Sequence, residues 1–226
     1  MEKLKKHWWK VLAALLLFYT VTAGLLMDAP RLHILNETIR SLHFHVPMWF
    51  GMIGLLLLSV IYAVQYLRKG ELRHDRYAVE FANAGLIFGI LGIVTGMVWA
   101  HFTWGKFWSS DPKQNMSAIA LLIYLAYFVL RSSFEDDHQR ARISSVYNIF
   151  AFAAMVPLLF ILPRLTSSLH PGNGGNPGFN AYDMDSTLRM VFYPAVIGWF
   201  LLGLWLASLR VRLRLVQDKL EETVYS

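Results

Sequence analysis

The sequence predicts an all-α polytopic membrane protein, a bundle of six transmembrane helices with both termini in the cytoplasm. Three observations carry that expectation. Of 226 residues, 56% are hydrophobic and only 16% charged, where a soluble domain carries about 25% charged residues. Apolar runs near the length needed to cross the hydrocarbon, about 20 residues, recur along the whole chain. Lysine and arginine are distributed unevenly between alternate connections, which is the signature of oriented spans.

The first span is Trp8–Leu26, preceded by the basic stretch Met1–Lys10. No small-residue cleavage site follows it, so it reads as a retained span rather than a signal peptide. The second is Val46–Leu67, with Pro47 suited to a first helical turn and His45 expected just before it. The third, Val79–Ala100, carries Gly85, Gly89, Gly92 and Gly96. Their spacing of four, three and four places a small-residue strip on one face, where a neighbouring helix can approach closely. Met116–Leu130 and Val146–Leu162 are shorter and need their flanks to complete the crossing. Met190–Leu209 is the sixth, followed by a solvated helical tail. The chain forms a single integral membrane domain, with neither repeats nor internal boundaries.

The N-terminus, second and fourth loops and C-terminal tail hold 15 Lys and Arg residues; the first, third and fifth loops hold 6. That bias places both termini inside, and it explains the net charge of +6 without a nucleic-acid partner. The chain has no cysteine, which excludes disulfides, thiolate metal sites and thioether attachment of a cofactor.

The outer loops then hold the chemistry. His33, His43 and His45 lie in the first, and His170 lies in the fifth, beside the turn-rich stretch Pro171–Gly178. The third, residues 101–115, "HFTWGKFWSSDPKQN", concentrates Trp104, Phe107 and Trp108 with Lys106, Asp111 and Lys113. An interfacial aromatic belt accounts for tryptophans at a membrane edge, and Asp111 before Pro112 reads first as a helix cap. A second reading is a flat apolar platform. Two histidines on one side of the membrane, flanking such a surface, suit haem, whose iron takes axial histidine and whose propionates need cations. His43 is two residues from His45 and cannot share its helical face.

Trp104-Gly105 through Trp108 to Asp111 resembles the tryptophan-rich WWD segment of the haem-handling cytochrome c assembly proteins, and "HVPMWF" (residues 45–50) resembles their histidine motif. Covering nearly the whole chain, the likeness is to the CcmC/CcmF/CcsA family. Six spans and a single histidine in each flanking outer loop are most similar to its CcmC branch; CcmF and CcsA have more spans and further histidines within them. The resemblance implies His45 and His170 as axial ligands of the haem iron. It implies Trp104, Gly105, Phe107, Trp108 and Asp111 as the haem platform, with Lys113 as the basic residue after the aspartate. Ser110 departs from the pattern, standing where a tryptophan normally precedes the aspartate, and Phe107 often is another tryptophan, so a thinner platform is expected.

The implied cargo is non-covalent haem b, held transiently at the outer face of the bacterial inner membrane. The implied partners are the periplasmic chaperone CcmE, the ABC-type subunits CcmA and CcmB and the lipid bilayer. Lys113, with Arg164 or Arg189, would meet the propionates, although each also suits a snorkelling position at a span end. No Walker motif, thiol or nucleophile–base pair points to an enzyme. Two alternatives remain open from the residues alone: a b-type electron-transfer cytochrome, which would place paired histidines deep in facing spans, and a small-solute permease, which would carry charges near the midplane.

Overall fold

The computed structural model describes residues 2–30, 35–170 and 184–225. Six long helices carry the fold: α1 (Glu2–Leu26), α2 (Leu42–Lys69), α3 (Leu72–Trp104), α4 (Pro112–Ser132), α5 (Asp137–Val156) and α6 (Ser186–Tyr225), with no strand among the described residues. The six expected spans are therefore present, each in a helical segment long and apolar enough to cross a membrane. His33 and the stretch Pro171–Gly178 lie outside the described residues.

The helices run beyond the apolar cores that announced them. A 3₁₀ segment, Asn36–Ser41, leads directly into α2, so His45 lies within the first turn of α2 rather than before it. Segment 101–115 was expected as a loop. Residues 101–104 instead finish α3 and 112–115 begin α4, leaving 105–111 between them. The α5 segment reaches crossing length through a π turn, Pro157–Ile161, and a 3₁₀ turn, Leu162–Arg164.

Two prolines sit inside helices without leaving their orphaned carbonyls bare. Pro47 cannot donate to the His43 carbonyl one turn back, and Trp199 Nε1 of α6 donates to that oxygen at 3.3 Å. Pro194 in α6 likewise frees the Met190 carbonyl, which the Tyr19 hydroxyl of α1 meets at 3.4 Å. In a membrane interior an unmet carbonyl costs several kcal/mol by rough account. Each proline thus becomes a point where a neighbouring helix is hydrogen-bonded into place.

Helix α2 is central, and its antiparallel seam with α3 is built on the glycine strip. A Cβ added at Gly85 would meet Leu56 at 2.8 Å, at Gly89 Met52 at 2.8 Å, at Gly92 Trp49 at 2.9 Å and at Gly96 His45 at 2.6 Å. The partners repeat the glycine spacing in reverse along α2. Large side chains of one helix therefore fill the notches of the other, the close packing expected where lipid removes any hydrophobic drive between helices. The last of these large side chains is His45. The strip read from sequence as a packing surface also sets the height and rotation of a candidate ligand.

Charged side chains tie the opposite end together. Arg131 of α4 grips Asp75 of α3 through two bonds of 2.7 and 2.5 Å, and both residues are buried. Arg76 reaches Asp137 of α5 at 3.0 Å and Asp218 of α6 at 2.9 Å. Glu80 is paired with Arg210 of α6 at 2.7 Å. These contacts give Glu80 a partner between helices.

Candidate functional site

At the other end of the bundle, α3 stops at Trp104 because Gly105 adopts the left-handed conformation, φ +76°. Its N–H returns to the His101 carbonyl at 2.9 Å, and a left-handed residue ending a helix is the usual place for glycine. Five residues later Ser110 also has positive φ, +57°, a conformation costing a residue with a Cβ roughly 1–2 kcal/mol. The first turn of α4 holds the chain there. Asn115 Nδ2 donates to the Ser110 carbonyl at 3.1 Å, and Gln114 Oε1 accepts from both the amide and the hydroxyl of Ser109 at 2.9 Å.

The aromatic residues of this loop have separate supports. The Trp104 ring meets the His170 ring edge-on, centroids 5.0 Å apart. Phe107 stacks flat on His101 at 4.2 Å. Trp108 Nε1 donates to Asn115 Oδ1 at 3.2 Å. Phe107 and Trp108 remain 49% and 38% exposed, so apolar ring surface faces outward from anchored side chains. Trp99, one turn before the α3 terminus, was not singled out from sequence. Its ring meets His45 edge-on at 5.7 Å, and its Nε1 donates to Thr38.

Asp111 does more than cap. Its Oδ1 accepts from the Lys113 amide at 2.9 Å, the expected N-cap bond. The same buried carboxylate also accepts from the Ser168 hydroxyl at 2.9 Å, the Leu169 amide at 2.7 Å and His170 Nδ1 at 2.9 Å. Burial opposes its charge most strongly, yet the hydrogen bonds from His170 and Leu169 prevail and hold the carboxyl well below the usual carboxylate range. Asp111 thereby fastens the segment after α5 to the start of α4 and turns His170 by its Nδ1 side.

His45 is held on the same ring atom. Its Nδ1 lies 3.2 Å from Thr95 Oγ1, while its ring is seated over Gly96. His170 is within electrostatic range of His45. Lys113 interacts electrostatically with both Asp111 and Arg164, so a second cation stands near the one beside Asp111. Arg189 instead donates to the Asp185 carbonyl at 3.3 Å. His43 faces α1, with its Cδ2 3.3 Å from where a Gly24 Cβ would stand. That orientation agrees with the expectation that it and His45 cannot face one site.

Both rings are held at Nδ1, one beside the Thr95 hydroxyl and one beside the Asp111 carboxylate, and they share one end of the bundle with exposed aromatic surface and nearby cations. That set fits a flat, apolar, anionic ligand with a metal at its centre.

Comparison with known proteins gives the same direction. A family model described as heme exporter protein C matches residues 1–225. The chain is similar to heme exporter protein C of Paracoccus denitrificans, 25% identical over 82% of this chain and 76% of that protein. It is 23% identical to heme exporter protein C of Haemophilus influenzae over 84% and 76%. It also matches the cytochrome c biogenesis protein CcsA of Parasynechococcus marenigrum, 32% identical over 54% of this chain and 38% of that protein.

Proposed function

The chain belongs to the heme exporter protein C family, CcmC, and from that premise we propose that it holds haem b non-covalently and passes it on during cytochrome c maturation. His45 and His170 supply the axial nitrogens. Trp104, Phe107 and Trp108 line the macrocycle, and Lys113 with Arg164 meets the propionates through charge-assisted bonds. The site faces the outer side of the bacterial inner membrane, an orientation supported by the basic residues clustered in alternate loops. The recipient is the periplasmic chaperone CcmE, with CcmA and CcmB as the ABC-type subunits driving release. The chain acts as a haem-handling factor and not as an enzyme.

One observation carries this reading: two histidines far apart in the sequence, His45 and His170, are each fixed by a hydrogen bond at Nδ1, within electrostatic range of each other at the aromatic end of the bundle. A b-type cytochrome would bury both histidines deep in facing helices. Here His45 lies in the first turn of α2 and His170 lies beyond α5.

The test is the absorption spectrum of detergent-purified protein beside His45→Ala and His170→Ala. A low-spin bis-histidine spectrum is expected for the wild type, shifting to high spin or losing haem in either variant. Wild-type protein that arrives without haem and takes up none when it is supplied would overturn the proposal.

Gly96 gives a second check. An added methyl would stand 2.6 Å from His45 Cε1, while alanine improves intrinsic helix propensity by about 1 kcal/mol. Overpacking costs about 1–3 kcal/mol, which that gain offsets only in part, so Gly96→Ala is expected to lower the thermal midpoint modestly and to reduce bound haem severely. Equal haem content in variant and wild type would show that the ring is not seated there.

A further inference from the structure

The two candidate ligands are oriented through the same ring atom but by partners of different chemistry. Thr95 Oγ1, beside His45, has a single proton. The Leu91 carbonyl lies 2.7 Å away and takes it, with the Gly92 carbonyl at 3.2 Å as the alternative within the same helix. With its hydrogen committed to its own backbone, the hydroxyl faces His45 as an acceptor, beside the Gly92 carbonyl that also accepts from the ring, so the imidazole carries its proton on Nδ1 and its lone pair on Nε2. His170 reaches the same tautomer against a carboxylate, Asp111, at 2.9 Å.

Resting on the haem reading above, we infer that Thr95 is a positioning residue for His45 and that the two axial ligands are built unequal, with His170 the retaining ligand and His45 the one that yields first. A hydrogen bond to an ionised acceptor is roughly twice as strong as one between neutral groups. A carboxylate behind a ligating imidazole also raises its basicity, so Nε2 of His170 donates more strongly. The Thr95 hydroxyl fixes tautomer and ring plane with much less of that push. Surroundings reinforce the difference. Asp111 is itself tied down by the Lys113 and Leu169 amides and the Ser168 hydroxyl, whereas the Thr95 hydroxyl is a side-chain group on one face of α3.

The exchange this permits needs no redox partner. His45 lets go with the electron pair remaining on its Nε2, and an incoming neutral lone-pair donor contributes a pair to the vacated position. No proton moves and the iron keeps its oxidation state. The asymmetry supplies an order of events: one side opens for the recipient while the other still holds the cargo.

The experiment measures haem loss from the full-length purified protein to excess apomyoglobin, alongside absorption spectra. His170→Ala, held only by His45, is expected to lose haem about ten- to a hundredfold faster than His45→Ala, the range seen when partners behind metal ligands are removed. Adding Asp111→Asn to His45→Ala should remove most of that advantage. In the protein with both histidines, Thr95→Val keeps the side-chain shape but loses the hydroxyl acceptor, leaving the ring only the Gly92 carbonyl, and should convert part of the low-spin signal to high spin. Thr95→Ser should keep the wild-type spectrum. Equal loss rates from the two single-histidine variants, or a Thr95→Val spectrum identical to wild type, would overturn the inference while leaving bis-histidine haem binding intact. A wild type without haem would overturn the functional reading itself.

Discussion

Replacing Asp111 with alanine is expected to cost the protein both its bound haem and about 3–4 kcal/mol of stability. The cap on α4 contributes about 1 kcal/mol, and hydrogen bonds to a charged acceptor contribute about 1.5–3 kcal/mol each, although neighbours sharing one carboxylate do not add in full. Alanine would remove the acceptor for Lys113, Ser168, Leu169 and His170 together. The spectrum and the thermal midpoint in detergent should therefore fall together. Asp111→Asn retains an oxygen for capping and should recover part of the midpoint but little of the haem. Because the folded carboxyl is held below its unfolded value, its contribution is fully present above the unfolded range, near about pH 4. It is lost as pH falls from there through the folded value. The midpoint difference between wild type and Asp111→Asn should thus be flat around neutral pH and shrink only below about pH 4. A gap that closes between pH 6 and 8 would assign the effect to another group.

The role of Asp111 shows where sequence reading reaches and where it stops. Its capping function was legible because cap and proline are adjacent, Asp111-Pro112, and local geometry follows from local order. Its hold on His170 was not, since the two are 59 positions apart and only the packed ends of α4 and α5 bring them together. Thr95 was invisible for a related reason: a threonine within an apolar run reads as filler until the ring it faces is known. Trp99 was passed over because it lies inside a span rather than in the conspicuous loop. The glycine spacing, by contrast, predicted a close helix approach. What it lacked was the identity of the opposing helix, and so the fact that its last notch receives His45.

The helices run past the apolar spans for physical reasons of the same kind. Pro47 suggested that α2 starts there, because a proline inside a helix strands a carbonyl. Trp199 meets that carbonyl, and α2 begins five residues earlier, at Leu42. At the other end, polar sequence such as Leu72–Arg76 falls below any apolar threshold for a span. It is helical nonetheless because its charges are matched across helices.

That matching gives the second large effect. Arg131→Ala is expected to destabilise the protein by about 3–5 kcal/mol, the cost of leaving one member of a buried ion pair uncompensated. The side chain of Asp75 is only 2% exposed and receives both guanidinium bonds, so its charge would have little water to turn to. Arg76 stands 3.7 Å away, but it is already engaged by Asp137 and Asp218 and offers partial relief only. The thermal midpoint in detergent should drop sharply for Arg131→Ala. It should recover in Arg131→Met combined with Asp75→Leu, since an apolar replacement of both partners removes the desolvation cost along with the attraction. The haem spectrum of the folded fraction should be unchanged throughout, because the pair lies at the end of α3 remote from His45 and Trp104. A double variant no more stable than Arg131→Ala would mean that the pair fixes helix register and not merely charge balance. A changed spectrum in the folded protein would mean that the two ends of the bundle are mechanically linked.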